Sequence, residues 1–115
     1  MEQINVTNHE VTDLDAYQQA CLSFRVPQSP PEERLMGLFE EAGEVAGVFK
    51  RMLRGDYDAD QAATKLHKEL GDVLWYVGAI AFDNGWPLSD IATSNLEKLE
   101  DRKLRNVIMG AGDTR

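Results

Sequence analysis

The sequence predicts an all-α fold, a bundle of four helices. Four segments carry apolar residues at the three- to four-residue spacing of an amphipathic helix, and none shows the sustained alternation of a half-buried strand. Stretches that contain proline or glycine separate these segments. A chain of 115 residues has the length of one domain, so we expect residues 1–115 to form a single domain.

The first predicted helix covers about residues 14–24, and the second runs from the prolines at 30 and 31 to about Arg54. Thr12 is the expected N-cap of the first helix, and Ser29, which precedes the prolines, is that of the second. Gly55 follows several basic residues and is expected to end the second helix. An apolar stripe along the second helix is expected to be covered by protein: Leu35, Leu38, Phe39, Ala42, Ala46, Phe49 and Leu53.

The third predicted helix runs from a cap at Asp58 or Asp60 to about Asp83, and the fourth covers about residues 89–105. The Asn-Gly-Trp-Pro stretch at 84–87 separates the two. A bundle of this size is not expected to cover all the apolar residues of the third helix, so we predict a homo-oligomer, either a homodimer or a homotetramer. The residues outside its main stripe are Trp75, Ala79 and Phe82.

Composition limits the kinds of partner. The net charge of −8 argues against a broad nucleic-acid-binding surface, which needs an excess of Lys and Arg. No run of about 18 apolar residues is present, so no membrane span is expected. The N-terminal residues do not resemble a signal peptide, and we expect a cytoplasmic location. Cys21, the single cysteine, excludes an internal disulfide and a Cys-based zinc site, and its apolar surroundings predict a core position.

Five carboxylates form the most informative pattern. Glu40, Glu41 and Glu44 lie opposite the apolar stripe of the second helix, and Glu69 and Asp72 lie one turn apart on the third helix. Two packed antiparallel helices would direct all five toward one place, where acidic groups need cations. Oxygen ligands of this kind favour Mg²⁺, with Mn²⁺ as a possible substitute. The alternative is that these acids form an ordinary solvated surface.

The same residues resemble the MazG-like family. Glu40, Glu41 and Glu44 form an E-E-x-x-E motif, which 24 residues separate from the E-x-x-D motif of Glu69 and Asp72. Further blocks similar to that family are residues 38–50, 68–76, 95–102 and 110–115. The resemblance implies a MazG-like four-helix bundle, often a dimer or a dimer of dimers, whose site oligomerisation completes or buttresses. It also implies hydrolysis of a (deoxy)nucleoside triphosphate to the monophosphate and pyrophosphate.

The resemblance further implies that Glu41, Glu44, Glu69 and Asp72 hold Mg²⁺ and that Glu40 binds a further metal ion or positions water. We expect water to attack the α-phosphorus, with Glu40 or Glu41 as the catalytic base. A di-iron bundle is disfavoured because no His follows any of these acids at the Glu-x-x-His spacing. A non-catalytic acidic module that binds a basic partner is the other alternative.

Substrate contacts are expected from cationic, amide and aromatic side chains. The candidates are Asn95, Lys98, Arg102, Lys50, Trp75 and Tyr76. The first three lie on one face of the fourth helix, where they could contact phosphate or sugar or form a solvated surface. Lys50 also suits the C-terminus of a helix. Trp75 and Tyr76 could stack on a base or pack in the core.

Several other polar residues are weaker candidates. Tyr17 and Gln18 of the first helix could contact the nucleotide, and Asp83 could either touch the site or cap the third helix. Asp113 and Arg115 could close over the nucleotide or belong to a frayed terminus.

Overall fold

The computed structural model describes residues 10–26 and 28–106, and the family-like block at 110–115, with Asp113 and Arg115, lies outside them. The described residues form four α-helices and one 3₁₀ turn, with no strand among them, as the sequence predicts. The elements are α1 (Leu14–Cys21), the 3₁₀ turn (Leu22–Phe24), α2 (Pro31–Leu53), α3 (Ala59–Asp83) and α4 (Leu88–Leu104).

The two long helices end at glycines, as predicted. Gly55 and Gly85 have φ values of +86° and +75°, a conformation that side chains with a Cβ rarely adopt. At the end of α2 the N–H of Asp56 donates to the carbonyl of Arg51 at 2.9 Å. At the end of α3 the N–H of Trp86 donates to the carbonyl of Ala81 at the same distance. These Schellman motifs satisfy the last carbonyls and turn the chain sharply.

The N-caps differ in part from those predicted. Asp13, not Thr12, caps α1, because its carboxylate accepts from the backbone N–H groups of residues 15 and 16 at 2.8 and 3.1 Å. Pro30, not Ser29, precedes the first residue of α2 and supplies no side-chain cap. Asp58 caps α3, as one of the two predicted options, in a reciprocal capping box with Gln61.

Helices α2 and α3 form an antiparallel hairpin, the largest helix pair of the structure. The side of α2 that carries Arg34, Glu41 and Val48 packs against α3. The apolar stripe on the opposite side, which was expected to be covered, is open in the single chain: Phe39 is 82% and Leu53 is 84% exposed. The expectation was wrong for this chain alone, because α1 and α4 pack on α3 and leave that side of α2 uncovered.

A buried ion pair joins the start of α2 to the end of α3. The Arg34 guanidinium donates to both carboxylate oxygens of Asp83, through Nε to Oδ2 and through Nη2 to Oδ1 at 3.0 Å. Its Nη1 donates to the hydroxyl of Ser29 at 2.6 Å, and Arg25 lies 3.6 Å from the same aspartate while covering the ring of Phe82. The structure thus gives Asp83 a role that was not among the two considered, that of holding the two hairpin helices together.

Helices α1 and α4 flank α3 and contact each other. Cys21 is buried, which confirms its predicted core position. Ala79 is buried as well, so the expectation that a single chain would leave it uncovered was wrong. The radius of gyration is 17.1 Å, larger than the roughly 13 Å of a compact domain of this length. Among the described residues, no helix is long and apolar enough to span a bilayer.

Candidate active site

Three carboxylates from the two hairpin helices meet at one place. Glu41 of α2 and Glu69 and Asp72 of α3 each offer an oxygen, and these oxygens lie within 4.8 Å of one another. Glu41 faces α3 because it lies two turns after Arg34 on the packed side of α2. Glu69 and Asp72 are three residues apart and share one side of α3. The paired acidic motifs thus assemble within one chain.

The electrostatics of the cluster show an excess of negative charge. The pKa of Glu41 is raised from 4.5 to about 7, first by burial and then by a hydrogen bond with Glu69 and by the charges of Asp72, Glu69 and Glu40. Without a cation, protonation near neutral pH relieves part of the repulsion. Three oxygen donors that repel one another at this spacing suit a hard divalent cation, so the residues fit Mg²⁺.

Glu40 and Glu44 lie at the margin of this cluster. Both are exposed, and neither belongs to the group of mutually close oxygens. Glu44 follows Glu41 by one helical turn and shares its side of α2, whereas Glu40 is its direct neighbour and adds negative charge to it. The cluster therefore contains three of the four predicted metal ligands and one of the two predicted catalytic acids.

Tyr76 fills the space between the helices beside the carboxylates. A Cβ added to Gly37 of α2 would lie 2.2 Å from Cε1 of this ring, so the close approach requires glycine at that position. Burial, followed by the charges of Glu41, Glu40 and other acids, raises the pKa of Tyr76. Trp75 packs edge-on against Tyr76, with ring centroids 4.9 Å apart. Both aromatic residues are half-buried, and Tyr76 is the one beside the acids.

Tyr17 brings α1 to the same site. Its side chain is hydrogen-bonded to that of Cys21, and it lies close enough to Asp72 for that carboxylate to affect its ionisation. Burial is the first cause of the raised pKa of Tyr17, ahead of these contacts. Gln18, in contrast, is turned toward backbone groups and is only 3% exposed. Of these two neighbouring residues, Tyr17 is influenced by the acidic cluster, whereas Gln18 is buried and bonded to backbone groups.

The predicted substrate-binding residues occupy different environments in the structure. Asn95 and Lys98 line an open cavity of about 480 Å³ beside the exposed indole of Trp86. Arg102, on the same helix, is only 3% exposed, so its guanidinium is packed within the protein. Lys50 lies nine residues after Glu41, on the opposite side of α2, and the structure does not bring it to the carboxylates of its own chain.

Sequence comparisons agree with this geometry. The family model of the MazG nucleotide pyrophosphohydrolase domain matches residues 29–106, which contain all three clustered carboxylates. The chain belongs to the MazG family. It is also similar to the gene 37 protein of Mycobacterium phage L5, with 46% identity over 85 residues that cover 70% of this chain and 72% of that protein. No solved structure matches the chain.

The match to the MazG family model does not extend to α1. It begins at residue 29 and therefore leaves out Tyr17 and Gln18, which lie on that helix. The sequence indicates these two residues only weakly as nucleotide contacts, because a short helix with several polar residues has no distinctive spacing. The signal that could have found them is the presence of bulky polar side chains beside apolar positions in a helix that packs on the core.

Proposed function

We propose that this MazG-family protein hydrolyses (deoxy)nucleoside triphosphates to the monophosphate and pyrophosphate. The observation that carries the proposal is the cluster of Glu41, Glu69 and Asp72 on two facing helices, with the pKa of Glu41 at about 7. Crowded carboxylates of this kind favour a bound divalent cation, which would also hold phosphate oxygens of a substrate. The membership of the MazG family favours a nucleotide as the phosphate-bearing substrate.

We propose that Glu41, Glu69 and Asp72 hold Mg²⁺, with Glu44 joining them from the next turn of α2. When bound, Mg²⁺ would neutralise phosphate charge and lower the pKa of a nearby water. Glu40 or Glu41 would accept the proton of the water that attacks the α-phosphorus. Tyr76 and Tyr17 would enclose the site from two sides and limit access of bulk water.

We propose that α4 supplies contacts to the rest of the nucleotide through Asn95 and Lys98. Their cavity is large enough for a small ligand and combines an indole face with amide and ammonium groups and with the carboxylate of Asp90. Lys98→Met should raise KM, whereas Lys103→Met, an exposed lysine of the same helix that does not line the cavity, should leave it unchanged. Equal KM values for the two variants would remove Lys98 from the binding site.

We further propose that the protein is a homodimer, or a homotetramer built from dimers, joined through the open stripe of α2. Side chains such as Phe39, Leu53 and Leu35 form a continuous apolar surface of the kind that stable oligomers bury. Phe39→Asp should yield monomers in analytical ultracentrifugation. Phe24→Asp, an equally apolar and exposed position outside α2, should not. An unchanged oligomer in the Phe39 variant would exclude this interface.

The reaction is tested with a panel of the common dNTPs and NTPs and Mg²⁺, with separation of monophosphate, diphosphate, pyrophosphate and phosphate. We expect monophosphate and pyrophosphate, lost on addition of EDTA and restored by Mg²⁺ or Mn²⁺. Asp72→Asn should lower kcat by at least about a hundredfold with little change in thermal stability. Phosphate and diphosphate as products, or full activity of the Asp72 variant, would refute the proposal. Absence of turnover on every nucleotide would favour a non-catalytic acidic module.

A further inference from the structure

The N-terminus of α4 is capped by side chains of a different helix. Pro87 occupies its N-cap position and forms no side-chain cap of its own. The N–H of Leu88 donates instead to Oε1 of Gln18 at 3.0 Å, and the N–H of Ser89 donates to Oδ1 of Asp15 at 2.9 Å. The Ser89 hydroxyl donates to the other oxygen of Asp15 at 2.6 Å. Two residues of α1 therefore do the work that an N-cap residue usually does.

Gln18 extends this connection to α3. Its Nε2 donates to the carbonyl of Gly78 in α3 at 3.1 Å and to the carbonyl of Trp86 in the connection before α4 at 3.0 Å. One buried amide thus joins three parts of the chain, and all of its bonds are to backbone groups. Substitution would leave several buried backbone groups without this partner.

The connection matters because it holds the first turn of α4. Among the described residues, α4 has fewer contacts with α3 than α1 has. From Ser89 to Lys98 the helix rises about 13 Å, so a tilt of about 10° at the first turn would move Lys98 by about 2 Å. A displacement of that size is enough to weaken contacts to a bound substrate.

We propose that α1 is a positioning helix, in which Asp15 and Gln18 hold the first turn of α4 and so set the distance between the Asn95 and Lys98 side chains and the carboxylate cluster. Helix α1 packs both on α3, which carries two of the clustered carboxylates, and on α4, which carries Asn95 and Lys98. Helix α1 lies outside residues 29–106, so the device is an addition to the part of the chain that matches the MazG family model. The consequence for substrate binding rests on the proposed function, whereas the effect on α4 does not.

The test compares Asp15→Ala and Gln18→Leu with Asp15→Asn, which retains one acceptor, and with Gln19→Ala, an exposed control on the same helix. Amide hydrogen exchange should be at least about fivefold faster over the first turn of α4 in the first two variants, since the loss of a cap frees its N–H groups. Exchange in the centre of α3 should be unchanged. The Asn variant and the Gln19 control should behave as the wild type does.

Kinetics supply the second measurement. With the best dNTP substrate, we expect KM to rise about tenfold and kcat to stay within about twofold in the Asp15→Ala protein. Affinity for Mn²⁺, measured by electron paramagnetic resonance, should be unchanged because the carboxylates lie on α2 and α3. Unchanged exchange at the start of α4 in both variants would overturn the proposal, and so would faster exchange without a rise in KM or with equal losses of Mn²⁺ affinity. If the wild type hydrolyses no nucleotide, the proposed function fails while the exchange data still decide whether α1 holds α4.

Discussion

Replacement of Glu41 by Gln should stabilise the metal-free protein while it removes activity. The pKa of Glu41 is raised from 4.5 to about 7, so the folded protein retains a proton at this position that the unfolded chain has lost. A group whose folded pKa is raised and whose ionised form is disfavoured destabilises the folded state as pH rises through that interval. The wild type should therefore lose stability between about pH 4.5 and 7, and Gln, which carries no charge, should not.

The magnitude follows from the pKa difference. At about 1.4 kcal/mol for each pH unit, the interval from 4.5 to about 7 corresponds to an upper limit of about 3 kcal/mol. Glu41 is half-buried and the neighbouring Asp72 is exposed, so water screens the repulsion and a value of about 1 kcal/mol is the better expectation. For a domain of this size, 1 kcal/mol changes Tm by roughly 4–8 °C.

The assay is urea unfolding of both proteins at pH 4 and pH 8 in EDTA, at one fixed protein concentration because oligomerisation would add to the stability. Other carboxylates titrate in both proteins, so the informative quantity is the difference between the two at each pH. We expect a difference near zero at pH 4, below the ordinary pKa of the carboxyl, and about 1 kcal/mol in favour of the Gln variant at pH 8. Addition of Mg²⁺ should stabilise the wild type alone. A Gln variant that is less stable at pH 8, or a difference that does not vary with pH, would refute the electrostatic reasoning.

Two further predictions concern the packing of the hairpin. Gly37→Ala should force the Tyr76 ring to move, cost about 1–3 kcal/mol and lower kcat, as measured by urea unfolding and steady-state kinetics. Gly43→Ala, at a position with open space, should stabilise α2 slightly, and an equal loss in both variants would contradict the packing argument. Arg34→Met should cost roughly 3 kcal/mol because it leaves the half-buried Asp83 without its main partner. Adding Asp83→Leu should recover part of that loss, and simply additive losses in urea unfolding would argue against the buried pair.

Periodicity and spacing predicted the helices and the meeting of the acidic residues, and the resemblance to the MazG-like family supplied the role expected of those residues. The i, i+3 spacing of Glu69 and Asp72 on one helix and the position of Glu41 on the next determine which sides can meet, because a helix is regular. Helix ends at Gly55 and Gly85 were predictable for the same reason, since the local conformation favours glycine. The helix ends depend on residues within a few turns of one another, and the carboxylates meet because a short turn joins the two helices that carry them.

Contacts between distant parts of the chain were not predictable in the same way. The side of α2 with the most apolar residues was expected to be covered, yet α3 packs on the side that carries Arg34, where an ion pair and small residues determine the fit. The capping of α4 by Asp15 joins residues 74 positions apart, and no local pattern marks such a pair. In the sequence, such a contact is indicated only by a single polar residue among the packed positions of a helix.

The position of all three clustered carboxylates within the α2–α3 hairpin has a consequence for folding and divergence. Only a short turn around Gly55 connects the two helices, so the cluster depends on contacts of low sequence separation and can assemble before the C-terminal part of the chain is in place. Substitutions in α1 or α4 do not change the spacing of Glu41, Glu69 and Asp72 along the two hairpin helices. The surrounding helices can therefore vary in sequence without altering the positions from which these carboxylates meet.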